Sequence, residues 1–197
     1  MKLCFASRNP HKHREIAHIL GDAFQLLTLD EIGCREELPE TASTIAGNAI
    51  CKARYVWQRY GMACFAEDSG LEVDALNGAP GVHSAHYAGI PPDTKANIER
   101  LLKELQGISN RKAQFRTVIA LILPHGELHT FTGTVSGWIT PVPRGEQGFG
   151  YDPIFQPEGH HLTFAQMSLQ EKNQVSHRRR ALDAFLNFLH NHPCIRR

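Results

Sequence analysis

The chain has 197 residues, 42% of them hydrophobic and 21% charged, with a formal net charge of +1 at pH 7. That length suits a single domain, or two intimate lobes, with a substantial core. The near-zero charge excludes a global field that would draw the protein onto nucleic acid or a membrane surface, so any anionic ligand must be met by a local cluster of cations. No run approaches the length of a membrane span, and Met1–Ala6 lacks the long apolar segment of a signal peptide. Five cysteines (Cys4, Cys34, Cys51, Cys64, Cys194) are scattered without CxxC spacing. They read as free thiols in a reducing compartment, which makes the cytoplasm the expected location. Of the twelve histidines, His11 with His13 and His160 with His161 lack suitably spaced cysteine or carboxylate partners and read as solvated surface groups.

In chain order, residues 2–6 read as a strand. Pro10 opens a helix with Ile16, Ile19 and Leu20 on one face and Gly21 as its stop. A second strand is expected from Phe24 to Leu29. Ile45, Ala49, Ala53, Val56 and Trp57 share one face of a helix from about 43 to 60. Met62–Ala66 reads as a short buried strand, and Gly78-Ala79-Pro80-Gly81 as a loop. Pro91-Pro92-Asp93-Thr94 starts a helix whose buried stripe is Ile98, Leu101, Leu102 and Leu105, ended by Gly107. Phe115–Leu123 and Leu128–Ile139 are β-rich and joined by a hairpin at Pro124-His125-Gly126-Glu127. Ser168 with Glu171 predicts a capping box. Ser176 caps a last helix bearing Leu182, Phe185, Leu186 and Leu189. Strands alternating with helices, plus one long hairpin, imply an α/β fold with a mixed sheet.

Five polar constellations stand out from this frame. Between the first strand and helix lie Ser7-Arg8-Asn9-Pro10-His11-Lys12. A helix N-terminus with Ser and Asn donors and a lysine attracts phosphate, although the P-loop pattern is absent and an ordinary N-cap accounts equally for these residues. Asn48 and Lys52 share a helical face beside the apolar stripe, which alone reads as a lysine snorkelling to solvent. Glu67-Asp68-Ser69-Gly70 follows the short strand. Adjacent carboxylates at a strand's carboxyl end are costly unless they bind a cation or accept hydrogen bonds. Mg²⁺ takes a few carboxylates, waters and substrate phosphates. A tight turn closed by Asp and Ser is the alternative. Gly148-Phe149-Gly150-Tyr151-Asp152-Pro153-Ile154-Phe155 predicts a rigid loop presenting one exposed ring and one carboxylate. Finally, Lys172 precedes Ser176-His177-Arg178-Arg179-Arg180. Cations at a helix N-terminus oppose its dipole, which is tolerable where an anion or an electron-rich base edge lies there. Arg179 and Arg180 read as solvent-facing.

From about Leu3 to Leu189, these strings in this order resemble the inosine triphosphate pyrophosphatase family, the non-canonical purine NTP pyrophosphatases. The resemblance implies one ITPase-like domain over 1–197, with a long mixed β-sheet flanked by helices and two lobes around a central cleft. It implies Mg²⁺-dependent conversion of ITP, dITP and XTP to the monophosphate and pyrophosphate in a homodimer, with no nucleic-acid or membrane partner. Asp68 is the implied catalytic residue, as metal ligand and base, with Glu40 and Glu67 as further metal ligands. Substrate contacts are implied along Ser7, Arg8, Asn9, Pro10, His11 and Lys12, at Lys52 and Ser69, and at Phe149, Gly150, Tyr151, Asp152, Lys172, His177 and Arg178. Phe149 would stack on the purine, and Arg178 would donate to its 6-oxo group. Two positions depart from the family pattern: Arg8 stands where many members carry glycine, and His86 where many carry arginine. A related-fold pyrophosphatase for other modified nucleotides, or a non-catalytic nucleotide-binding regulator, is the alternative reading.

Overall fold

The computed structural model describes residues 2–20 and 24–192; the side chains of His11, Glu15, His18 and Ile19, the expected stop at Gly21, and Cys194 lie outside that description. The elements in order are β1 Lys2–Phe5, α1 Pro10–Leu20, β2 Gln25–Leu27, α2 Ile45–Tyr60, β3 Cys64–Val73, α3 Thr94–Glu104, β4 Lys112–Ile122, β5 Leu128–Ile139, β6 Phe155–Pro157, α4 Leu169–Val175 and α5 His177–Asn191. The strands form one open mixed sheet in the order β2-β1-β3-β4-β5-β6. β1 pairs in parallel with both β2 and β3, and β5 pairs antiparallel with β6.

Local chemistry explains most element boundaries. Thr44 caps α2 by accepting from Gly47 N at 3.0 Å, and Gly61 closes it in the left-handed region at φ 63°. Asp93 caps α3 by accepting from Ala96 N at 3.0 Å. The capping box of α4 joins Ser168 and Glu171 as its sequence predicts. Ser176 Oγ accepts from Arg179 N at 3.2 Å at the start of α5. β2 is shorter than expected, although Phe24 and Leu29 at its flanks are both buried.

The main departure is β3. It spans ten residues, continuing through Glu67-Asp68-Ser69-Gly70 where the strand was expected to have ended and a tight turn was the alternative reading. Turn-forming composition is overridden because each polar side chain finds a partner from another element, so the backbone has no need to turn back on itself.

The chain divides into two compact units: 1–68 with 118–132 and 181–197, and 69–117 with 133–180. The core of the first unit gathers Leu3, Phe5, Ile16, Phe65, Ile119, Leu121, Leu182 and Phe185. Phe65 stacks on Phe5 at 4.6 Å and meets Phe185 at 4.8 Å. On the other strand face, Cys64 Sγ donates to Ala53 O of α2 at 3.1 Å. β3 therefore alternates: Phe65 and Glu67 look one way, and Cys64, Ala66 and Asp68 look toward α2. The core of the second unit joins Leu71, Ile98, Leu101, Phe115, Val135, Phe155 and Phe164.

Phe65→Ala should cost about 3–5 kcal/mol, the usual loss for emptying a buried aromatic site. Urea unfolding measures it. A loss under about 1 kcal/mol would mean that this ring stack does not organise the first core.

Candidate functional site

In the first unit, the turn after β1 is built by its own side chains. Ser7 Oγ accepts from Asn9 N at 3.2 Å, and Asn9 Oδ1 accepts from Lys12 N at 3.1 Å. Asn9 is thus the N-cap of α1, and Pro10 occupies the first helical position. Ser7, Arg8, Asn9 and Pro10, with His13, Arg14 and Thr28–Asp30, line a cavity of about 500 Å³. The Arg8 guanidinium spans the turn and the segment opposite. It donates to Asp30 Oδ1 at 3.2 Å, Cys34 O at 2.9 Å and Glu36 O at 3.0 Å. Neither crowding nor a ligand is needed to account for it.

Lys52 sits at the centre of the polar groups on β3 and α2. Its side chain is not a snorkelling one; the residue is only 7% exposed. Its ammonium donates to Glu40 Oε1 at 2.8 Å, Asp68 Oδ1 at 2.8 Å and Glu67 O at 3.0 Å. Three protons thus meet three acceptors. Asn48, one turn earlier on α2, accepts from Ala42 N at 2.9 Å and so pins the segment that carries Glu40. On the opposite face of β3, the buried Glu67 carboxylate accepts from Lys12 Nζ of α1 at 3.0 Å. Strand alternation gives the two neighbouring carboxylates separate lysines. The three carboxylates implied as metal ligands are therefore arranged as a pair, Glu40 with Asp68 around one cation, and Glu67 on the other side with Lys12.

Charge states follow from this packing. Burial pushes the Asp68 carboxyl above the ordinary carboxylate range; Glu40 adds to the push, while Lys52 and Lys12 pull it down. For Lys52, burial is the largest single influence and pulls it down, but the charges and hydrogen bonds of Asp68 and Glu40 outweigh it and hold the ammonium above its ordinary range. Lys52 is cationic at neutral pH, and Asp68 is a carboxylate kept basic by its surroundings.

In the second unit, Phe149 is 73% exposed. Its loop holds the ring out while its neighbour turns in. Asp152, expected to be presented with the ring, is only 2% exposed. Its Oδ2 accepts from Phe149 N at 2.8 Å and from Lys172 Nζ at 2.5 Å. Gly148 is required here: its φ is +80°, and a Cβ would lie 2.1 Å from that same carboxylate oxygen. Lys172 Nζ in turn lies 4.7 Å from the Phe149 ring centroid and 5.4 Å from that of Phe164. Tyr151 is packed away, donating to Ser84 O at 3.0 Å, and burial drives its hydroxyl pKa upward. Gly150 supplies a second positive φ of 59°. His177 stacks on Phe115 at 4.8 Å, and Arg178 is half-buried in the first turn of α5. Arg180 is exposed, as expected, and its guanidinium also donates to Thr134 O at 2.7 Å. Ser69 Oγ shares a 2.7 Å hydrogen bond with the buried Thr117 hydroxyl. His86 lies in a 3₁₀ turn against the ring of His83, 5.7 Å between centroids.

Sequence reasoning missed Phe164 beneath Lys172, Phe115 beneath His177, and Thr117 beside Ser69. Each partner is distant in the chain and carries no local signal.

Comparison with known proteins places these residues in a wider set. The Ham1 family profile matches residues 3–188. A dITP/XTP pyrophosphatase of Porphyromonas gingivalis is 56% identical over 95% of this chain and 97% of its own. One from Flavobacterium psychrophilum is 53% identical over 97% of this chain and 100% of its own. Among solved structures, the Staphylococcus aureus Ham1 protein superposes with a TM-score of 0.93 at 40% identity, covering 96% of this chain and 98% of that one.

Lys52→Met tests the central ammonium. It leaves two carboxylates unpaired, one of them mostly shielded from solvent, and should destabilise the protein at neutral pH by about 3 kcal/mol, the low end for breaking a buried pair because Glu40 is half exposed. In metal-free protein the Asp68 carboxyl, followed by NMR, should titrate at higher pH, since burial and Glu40 still push it up while the main downward pull is gone. The stability deficit should shrink as pH falls and the carboxylates protonate. A deficit that is constant with pH would show that the ammonium acts only by packing.

Proposed function

This chain belongs to the Ham1 family, and we propose that it is a nucleoside-triphosphate pyrophosphohydrolase that converts ITP, dITP and XTP to the monophosphate plus pyrophosphate, so clearing deaminated purines from the nucleotide pool. One observation carries the reading: the buried Lys52 ammonium gathers Glu40 and Asp68 at 2.8 Å each. A pure binding protein has no use for a costly buried cation that organises two carboxylates.

The metal of this proposal is Mg²⁺. Glu40 and Asp68 fit it, because both offer hard oxygen ligands already drawn to one cationic centre, and one of them is half exposed. When bound there, Mg²⁺ would neutralise phosphate charge and lower the pKa of a water that it holds. The chain's own residues do the rest. Asp68, kept basic by burial, holds or takes a proton at its carboxylate. The N-terminus of α1, with Ser7, Asn9 and Lys12, receives the terminal phosphates, and Lys52 adds charge beside them. Phe149 provides a face for the purine, set in place by Asp152 and Lys172. Arg178 donates to the 6-oxo acceptor, with His177 beside it. Adenine presents an amino donor at that position, which leaves the Arg178 donor unmade and disfavours ATP.

The whole chain acts as one catalytic domain in this reading. A homodimer in the cytoplasm is part of the same proposal; no helix among the described residues is long and apolar enough to cross a membrane.

Turnover of a panel of common and deaminated NTPs, with and without Mg²⁺, tests the assignment. ITP, dITP and XTP should be cleaved in preference to ATP and GTP, and Asp68→Asn should abolish most turnover while the protein stays folded. In ¹⁸O-water the label should enter the nucleoside monophosphate, reporting attack at the α-phosphorus. Label in pyrophosphate would place the attack at the β-phosphorus, and release of orthophosphate would reject the pyrophosphohydrolase reading.

Arg178→Ala should raise KM for ITP and shrink its preference over ATP by at least about tenfold, on the scale of ~1–3 kcal/mol for an unmade buried polar bond. Equal losses for ITP and ATP would assign Arg178 to phosphate instead of base.

A further inference from the structure

Three side chains in the first unit lie together and take no part in the nucleotide chemistry. Glu127 closes the β4–β5 turn, where Leu123 N donates to its carbonyl at 2.9 Å. His129 stands two residues further, in β5, so both side chains leave the same face of the chain. His192 directly follows α5, whose residues from Ala181 onward pack in this unit. Among the described residues, Glu127, His129 and His192 form the one group of three carboxylate, imidazole or thiol ligand atoms lying within 4.8 Å of one another.

The polar atoms of this group are poorly satisfied. His129 Nε2 and His192 Nδ1 are both buried without a hydrogen-bond partner. His129 Nε2 approaches Glu127 Oε1 to 3.1 Å, but not in hydrogen-bond geometry. Two buried imidazole nitrogens without partners are costly as they stand. Phe188 of α5 fixes both rings: its centroid lies 4.3 Å from that of His129 and 4.6 Å from that of His192. The two imidazoles are therefore held at 5.8 Å between centroids by a wedge of core.

We propose that Glu127, His129 and His192 form a binding site for a borderline divalent transition metal, Zn²⁺ foremost, which clamps the end of α5 to the β4–β5 hairpin. Zn²⁺ binds imidazole nitrogen and carboxylate oxygen at about 2.0–2.2 Å, so tetrahedral ligands stand about 3.3 Å apart. The 3.1 Å between Glu127 and His129 is close to that edge, and His192 closes the third corner with a modest side-chain rotation. A water completes the set. Two imidazoles also select against Mg²⁺, which prefers oxygen ligands. The site is therefore chemically separate from the carboxylate pair around Lys52.

The test uses the full chain without nucleotide. Competition against a chromogenic chelator should show a single Zn²⁺ held in the micromolar range or tighter, with a rise in Tm on adding it. Co²⁺ should give the intense visible absorption of a four-coordinate site. His192→Ala should weaken Zn²⁺ by at least about tenfold, since losing even an outer-shell partner of a metal site costs 10–100-fold, and should remove both the Tm rise and the Co²⁺ band. His160→Ala, at an exposed histidine, should change none of these. Wild-type protein that holds no Zn²⁺ at micromolar concentration overturns the site, and so does a His192→Ala variant that binds as the wild type does. If His192→Ala fails to fold, Glu127→Gln on the exposed turn carries the same comparison.

Discussion

The ammonium of Lys52 is the constraint around which the polar half of the first unit is arranged. A lysine buried in an α/β core is expensive, and its mutual attraction with carboxylates only offsets the desolvation if every proton is met. Here all three are, from Glu40, Asp68 and the Glu67 carbonyl. That requirement fixes the register of α2 on β3 and the path of the segment bearing Glu40. Together with the Lys12–Glu67 and Ser69–Thr117 contacts, it also explains why β3 stays extended through residues that favour turns. The stability argument alone would favour apolar residues in place of the whole cluster, lysine and carboxylates together. What the ion gains is geometry: two carboxylates are held in place around one cation, the kind of preorganisation on which the proposed catalysis would draw.

The second unit solves a different problem with a similar device. The Phe149 ring is exposed, and an exposed ring on a glycine loop is ordinarily loose. Asp152 removes that freedom by holding the Phe149 amide and the Lys172 ammonium on one oxygen. The ring is presented to solvent, and the carboxylate that orients it is hidden. The column of Phe155, Phe164, Phe115 and His177 below, with neighbouring centroids 4.6–6.0 Å apart, ties the loop to the first turn of α5.

Much of this was legible in the sequence where local rules apply. The helices at Pro10, at 45–60 and at Thr94, the hairpin at Pro124–Glu127, and the box at Ser168 and Glu171 all follow from periodicity and capping. The polar strings also contain the residues that the proposed reaction uses. The failures share one cause. The third strand read as ending at Ala66 because Glu67-Asp68-Ser69-Gly70 has a turn-like composition, and its stabilising partners lie 15 or more residues away or on another element. Lys52 read as a solvated side chain because helical spacing cannot reveal acceptors at 40, 67 and 68. Asp152 read as exposed because nothing local shows the lysine twenty residues on. His129 and His192 are separated by most of β5 and all of α4 and α5, so only the fold brings them together.

Arg8 carries a consequence for exchange between relatives. Its guanidinium feeds Asp30 and two backbone carbonyls, at Cys34 and Glu36, so the turn after β1 and the stretch from 30 to 36 form one bonded block. A loop transplanted from a protein with glycine at position 8 would arrive with more backbone freedom and without the donors those carbonyls use. The same loop carried across together with its own 30–36 stretch keeps its internal bonding whole. Chimeras of these enzymes should therefore be cut outside that pair of segments, never through one of them.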